Sequence, residues 1–172
     1  MSLRPILMAG LALASVAALG DAADAQSRYR SDNRSAAREA VVDAWRDRRP
    51  NRVEIDQSGR GLAIQALQRG VAQQIGLTQR GANDSALINQ AGSLSRVWMQ
   101  QSGNDLTGSI YQNGNGNYVG VAQIGDGHTA TTVQEGNGNI LGVIQIGNGQ
   151  HTTYQQIGNG KADLVIQFGW DD

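Results

Sequence analysis

The chain contains no cysteine, which excludes a disulfide framework and any thiolate chemistry. Proline and phenylalanine are close to missing, with two residues and one residue among 172. Neither sign of charge dominates: 14 Lys and Arg against 15 Asp and Glu leave a formal net charge of −1. A surface so balanced implies neither nucleic acid nor an anionic membrane as partner. No apolar run reaches the roughly 20 residues of a membrane-spanning helix. What the chain does have is glycine, 23 residues of it. So much glycine means either disorder or one turn used again and again, and the order of the residues decides between them.

The first segment reads as a targeting signal. Arg4 supplies a small positive start, and Ile6 to Leu19 is apolar and uninterrupted by charge. Ala23-Asp24-Ala25 fits a small-x-small cleavage site, so residues 1–25 are assigned as a signal peptide and the mature start falls near Gln26. Such a chain is exported, in a bacterium to the periplasm or beyond. Residues 26–56 form a charged N-terminal segment with eight Arg and six acidic residues. Ser35 to Arg49 suits a helix with Ala37, Val41, Ala44 and Trp45 on one face, stopped by Pro50. Glu39, Asp43 and Asp47 repel one another at i,i+4, and about four turns are marginal without packing. The segment therefore reads as a partly helical or disordered leader, or alternatively as a recognition or chaperoning element.

From Gln57 onward the chain repeats with a period of eleven residues. Gln opens every line, at 57, 68, 79, 90, 101, 112, 123, 134, 145, 156 and 167. Gly holds every third place: Gly59, Gly70, Gly81, Gly92, Gly103, Gly114, Gly125, Gly136, Gly147, Gly158 and Gly169. An eleven-residue period also suits a right-handed coiled coil, but repeated glycines at roughly 1 kcal/mol each oppose a helix. Val, Ile, Thr and Tyr between the glycine clusters favour strands. Each line therefore reads as a turn, Gln-x-Gly-x-x, followed by a strand. Six of the ten complete lines also carry Gly at the fifth place, often behind Asn or Asp, types that tolerate positive φ.

Side chains along a strand alternate between faces. With Gln inward, the sixth, eighth and tenth places face inward too. The tenth place is mostly aliphatic, including Leu77, Ile88, Met99, Ile110, Val121 and Val143, as a buried column requires. The outward places are mixed, holding Arg96, Thr129, Thr131 and His151 beside Trp98, Tyr111 and Ile140. Alternate lines resemble one another most, as Gln112-Asn-Gly-Asn-Gly-Asn resembles Gln134-Glu-Gly-Asn-Gly-Asn, so the true unit is 22 residues. Residues 57–172 are expected to form an all-β solenoid of five strand-turn-strand-turn units. Such a unit buries its inner face only by stacking on another. In-register stacking then collects the Gln residues into two columns of amides, each donating to one neighbour and accepting from the other.

The charges along the repeat read mostly as a solvated face. Asp84, Lys161 and Asp163 differ, because the register turns them inward. Lys161 and Asp163, two residues apart, are expected to pair, and all three are candidate gatekeepers that slow stacking. No nucleophile, base and orienting group share a neighbourhood: His128 is inward and His151 outward, so an enzyme is disfavoured and no cofactor is implied. A calcium-binding β-roll needs a nine-residue repeat. An ice-binding face needs more than Thr129, Thr131 and Thr153. A capped, monomeric solenoid adhesin is the nearer alternative.

The spacing Gln-x-Gly-x-Gly-Asn-x-Ala-x-x-x-Gln resembles the curlin repeat of bacterial curli fibres. Gln112-x-Gly114-x-Gly116-Asn117 and Gln134-x-Gly136-x-Gly138-Asn139 carry its first half, and Ala86 and Ala130 its Ala position, which Val119 and Leu141 replace elsewhere. The resemblance runs from Gln57 to about Gly169. It implies a secreted subunit of an adhesive, biofilm-building amyloid fibre (a pilus-like fimbrium) at the bacterial cell surface. The implied partners are further copies of the chain, other curlin subunits, an outer-membrane export pore with its accessory factors, and host or abiotic surfaces; no nucleic acid or small-molecule substrate is implied. Curlin major subunits typically begin with a Gly-rich segment, whereas residues 26–56 are Arg-rich and lack Gly, which is more like a minor, nucleating subunit. The inner Ser of many curlin strands occurs once, as Ser95; Leu62, Gln73, Asp84, Leu106, His128 or Lys161 stand there in other lines.

Overall fold

The structure, a computed structural model, describes residues 50–169. The signal peptide and the helix expected over Ser35 to Arg49 lie outside the described residues. Within them the chain forms eleven strands: β1 Arg52–Arg60, β2 Ala63–Val71, β3 Gln74–Ala82, β4 Ser85–Ser93, β5 Arg96–Asn104, β6 Thr107–Asn115, β7 Tyr118–Asp126, β8 Thr129–Glu135, β9 Ile140–Asn148, β10 His151–Ile157 and β11 Ala162–Gly169. No helix occurs among the described residues. The odd strands form one six-stranded sheet in the order β1-β3-β5-β7-β9-β11, and the even strands a five-stranded sheet, β2-β4-β6-β8-β10. All neighbouring strands run parallel and in register, Gln57 beside Gln79 and Gly59 beside Gly81. The fold is a β-solenoid that turns once every two strands, with β1 starting at Arg52, ahead of Gln57.

The position of the turn corrects the sequence reading. Gln lies inside the strands, and so does the third-place Gly except at Gly136 and Gly158, which directly follow β8 and β10; elsewhere the chain reverses at the fifth and sixth places, as at Gly61-Leu62 between β1 and β2. Every fifth-place residue adopts the left-handed conformation, with φ near +64° to +68° for Gly and +55° to +60° for Ala72, Asn83, Leu94 and Asp105. From β1 to β7 and in β9 the strand continues past the third-place Gly, because that residue answers a different demand.

The space between the sheets is one continuous core. Ile75, Ile88, Met99, Ile110, Val121 and Leu141 are fully or almost fully buried, all at eighth or tenth places. Size is matched between columns: Met99 reaches the space that a side chain at Gly108 would need. The inward–outward alternation is clean in β4 and lost in β7 and β9. There Ala122, Ile124, Ile140 and Ile144 are buried as well, and the runs Val119–Ile124 and Ile140–Ile146 are apolar almost throughout, as parallel strands buried on both faces usually are. Among the described residues no strand lies beyond β1 or β11: β1 is exposed along its whole length, and the alternate residues of β11 are exposed.

Candidate functional site

Each inward Gln meets two needs at once. Its Nε2 donates to Oε1 of the Gln 22 residues on, and the direction never reverses. In the odd sheet the chain of bonds is Gln57 to Gln79 (2.7 Å), to Gln101 (2.8 Å), to Gln123 (2.9 Å), to Gln145 (2.9 Å), to Gln167 (2.8 Å). In the even sheet it is Gln68 to Gln90 (3.0 Å), to Gln112 (2.8 Å), to Gln134 (2.9 Å), to Gln156 (2.7 Å). The second N–H crosses to the opposite sheet: Gln101 donates to the Ser85 carbonyl (3.0 Å), Gln123 to Thr107 (3.0 Å) and Gln145 to Thr129 (3.1 Å). A nitrogen with two acceptors and an oxygen with one donor fix the amide orientation. Each bond contributes about 0.5–1.5 kcal/mol net, and an orphaned buried partner costs about 1–3 kcal/mol. The columns thus clamp neighbouring turns together and tie the two sheets to each other.

The third-place glycines are where successive turns touch. A Cβ on Gly81 would overlap the carbonyl oxygen of Gly103, and the same overlap recurs from Gly59 to Gly147 with the Gly one turn on. Any side chain there would push the turns apart.

A second ladder runs through the arcs, at the sixth place, where composition offers no constant residue type. Asn117 Nδ2 donates to the carbonyls of Asn113 (3.3 Å) and Gly136 (2.8 Å), while its Oδ1 accepts the N–H of Asn139 (3.0 Å). Asn139 repeats the pattern with Glu135, Gly158 and the N–H of Lys161. Gln73 donates to the Arg69 and Gly92 carbonyls, and Ser95 to Gly114. His128 does the same as a neutral imidazole: Nδ1 accepts the N–H of Gln150, and Nε2 faces the Ile124 carbonyl. A third, exposed ladder joins fourth-place residues, Asn104 to Asp126 and Asn115 to Asn137 to Asn159.

The three inward charges are placed very differently. Asp84 is fully buried at a sixth place. Its Oδ1 accepts the N–H of Leu106 (3.1 Å), but its Oδ2 has no partner where the amides of its counterparts donate. Burial pushes its carboxyl above the ordinary value of 3.8; the Leu106 N–H pulls the other way, and Asp105 and Asp126 add to the rise. Lys161 is exposed, and no ion pair joins it to Asp163 among the described residues. The expected pair fails because Asp163 is already engaged: its Oδ2 accepts from Gln156 Nε2 at 2.8 Å, the last donor of the even column. Burial, and then the hydrogen bond to Asp163, hold the Tyr154 hydroxyl above its usual range.

This geometry defines a repeat β-solenoid whose repeated side chains hold each turn on the next. Residues 103–136 match the family model of the curlin associated repeat. No curated protein matches the chain.

Proposed function

We propose that the chain is a structural subunit of an extracellular, curli-like functional amyloid fibre that assembles by in-register β-stacking and serves cell adhesion and the biofilm matrix. The observation that carries this reading is the polarity of the Gln columns. They begin with acceptors, Oε1 of Gln57 and Gln68, that receive no column donor among the described residues. They end with donors on Gln156 and Gln167, so one end complements the other. Parallel strands with open edges at both ends offer the matching backbone template. A head-to-tail contact between unlike ends propagates without closing, which makes a filament.

On this reading the partners are further copies and other curlin subunits, delivered through an outer-membrane pore to the cell surface. The Arg-rich residues 26–56 favour the nucleating, minor role. The test is dye-binding fibrillation of purified residues 26–172, unseeded and seeded with its own fibres. Spontaneous, seedable assembly is expected. A chain that stays monomeric for days at high micromolar concentration overturns the reading in favour of a solenoid adhesin.

A further inference from the structure

Among the described residues the solenoid has eleven strands, an odd number, so its last strand, β11, and its first, β1, belong to the same sheet. If a second copy stacked like sheet on like, β1 of that copy would lie on β11. Its β2 would then stand two strand spacings above β10, leaving a missing strand in the even sheet between them. The gap closes only if the incoming copy is rotated by about half a turn, so that its β1 pairs with β10 and its β2 with β11. We propose, resting on the fibre reading above, that subunits join by this half-turn junction, the even sheet of one copy continuing as the odd sheet of the next.

The side chains at the edges support the rotation independently. Extending the internal register puts Ile166 beside Leu67 of the next copy and Phe168 beside its Arg69. Ile166 is 46% exposed, Phe168 65% and Leu67 41%, so each gains cover. The outer column Ala122-Ile144-Ile166 thereby continues as an apolar stripe, and Phe168 meets a guanidinium. Like-on-like stacking would instead set Leu164 on Glu54 and Ile166 on Asp56. The Gln columns also continue across the half-turn junction, Gln156 to Gln57 and Gln167 to Gln68. The N–H that Gln156 now gives to Asp163 is the one that Gln57 of the next copy would take.

The chain has no cysteine, so disulfide mapping reads the junction directly. Exposed, outward Glu54 and Thr153 occupy equivalent places in β1 and β10, and across a half-turn junction their Cα atoms would stand about 4.8 Å apart, within disulfide reach. Glu54 and Leu164 would be neighbours only in like-on-like stacking. The double variants E54C/T153C and E54C/L164C, with D56C/Q155C and D56C/I166C as a second set, are assembled under reducing conditions, checked for fibres and then oxidised. The expected result is a covalent ladder of multimers from E54C/T153C and D56C/Q155C, and monomer from the other two. A ladder only from the Leu164 and Ile166 variants overturns the half-turn and leaves the fibre intact. Fibres with no ladder from any variant also overturn it, placing the contact elsewhere. Failure of the cysteine-free chain to form fibres overturns both this junction and the proposed function.

Discussion

The third-place and fifth-place glycines of the repeat are present for different reasons, and substitution separates them. At Gly81 a methyl group would overlap the Gly103 carbonyl of the next turn, and φ is +143°. At Gly116 nothing lies within 4 Å of an added Cβ, and only the left-handed backbone, φ +64°, objects. Gly116→Ala is expected to lower stability by about 1–2 kcal/mol, no more than Ala72 or Leu94 already tolerate. Gly81→Ala is expected to lose upwards of about 3 kcal/mol, because backbone must shift along the stack. Urea unfolding of freshly purified monomer compares the two, and equal losses would contradict the close contact. Asp84 yields a pH prediction. Its folded-state pKa is raised, so its contribution to stability is fully present below the ordinary value of 3.8 and is lost as pH rises through the folded value. Asp84→Asn supplies the donor that Asn117 and Asn139 use. The variant is expected to exceed the parent in stability at pH 7 by on the order of 1 kcal/mol and to show a flatter pH profile. A variant less stable than the parent at pH 7 contradicts this account of Oδ2.

At the scale of the strand and its arc, the sequence shows which face a residue takes better than it shows where the chain bends. The unbroken Gln and Gly register marks the period, the pairing partner and the inward places, because stacking in register makes identical residues meet. The bend is harder to read. The third-place Gly resembles a turn residue, yet its constancy comes from contact between turns, while the true reversal accepts Leu94 and Asp105 at the fifth place. The sixth-place ladder is hidden for a related reason. Gln73, Ser95, Asn117 and His128 all bond a nearby carbonyl, and the last three also accept the next turn's N–H, but no single residue type records it. A column of polar residues at an otherwise inward place is the signal that could have revealed it. The spacing of Lys161 and Asp163 suggests a pair, but spacing does not foresee that Lys161 is exposed ahead of β11 and that Gln156 takes the carboxylate. The columns themselves predict an asymmetry between faces. Gln134→Ala should strand Oε1 of Gln156 and the Nε2 of Gln112 and slow assembly several-fold, whereas Thr131→Ala on the outer face should change it little. Dye-binding kinetics at matched concentration decide, and equal rates would contradict a contribution of the columns to assembly.

At the scale of the whole molecule, the internal architecture is already that of a short fibre. Parallel strands stack along one axis, like residues lie over like, and the polar groups of the core bond to their own copies one turn away. A subunit joined through the half-turn junction adds a rise of roughly 26 Å, the height of eleven strands shared between two sheets at about 4.8 Å per layer. On the proposed junction nothing in the fold would have to be rebuilt for assembly, since the contact between subunits would repeat the contact between turns. The measurement that tests the claim most directly is X-ray fibre diffraction from aligned fibres of the mature chain. The account predicts a sharp reflection at about 4.8 Å along the fibre axis and a broader one near 10 Å across it. Fibres whose 4.8 Å spacing lies across the axis, or is absent, would contradict it.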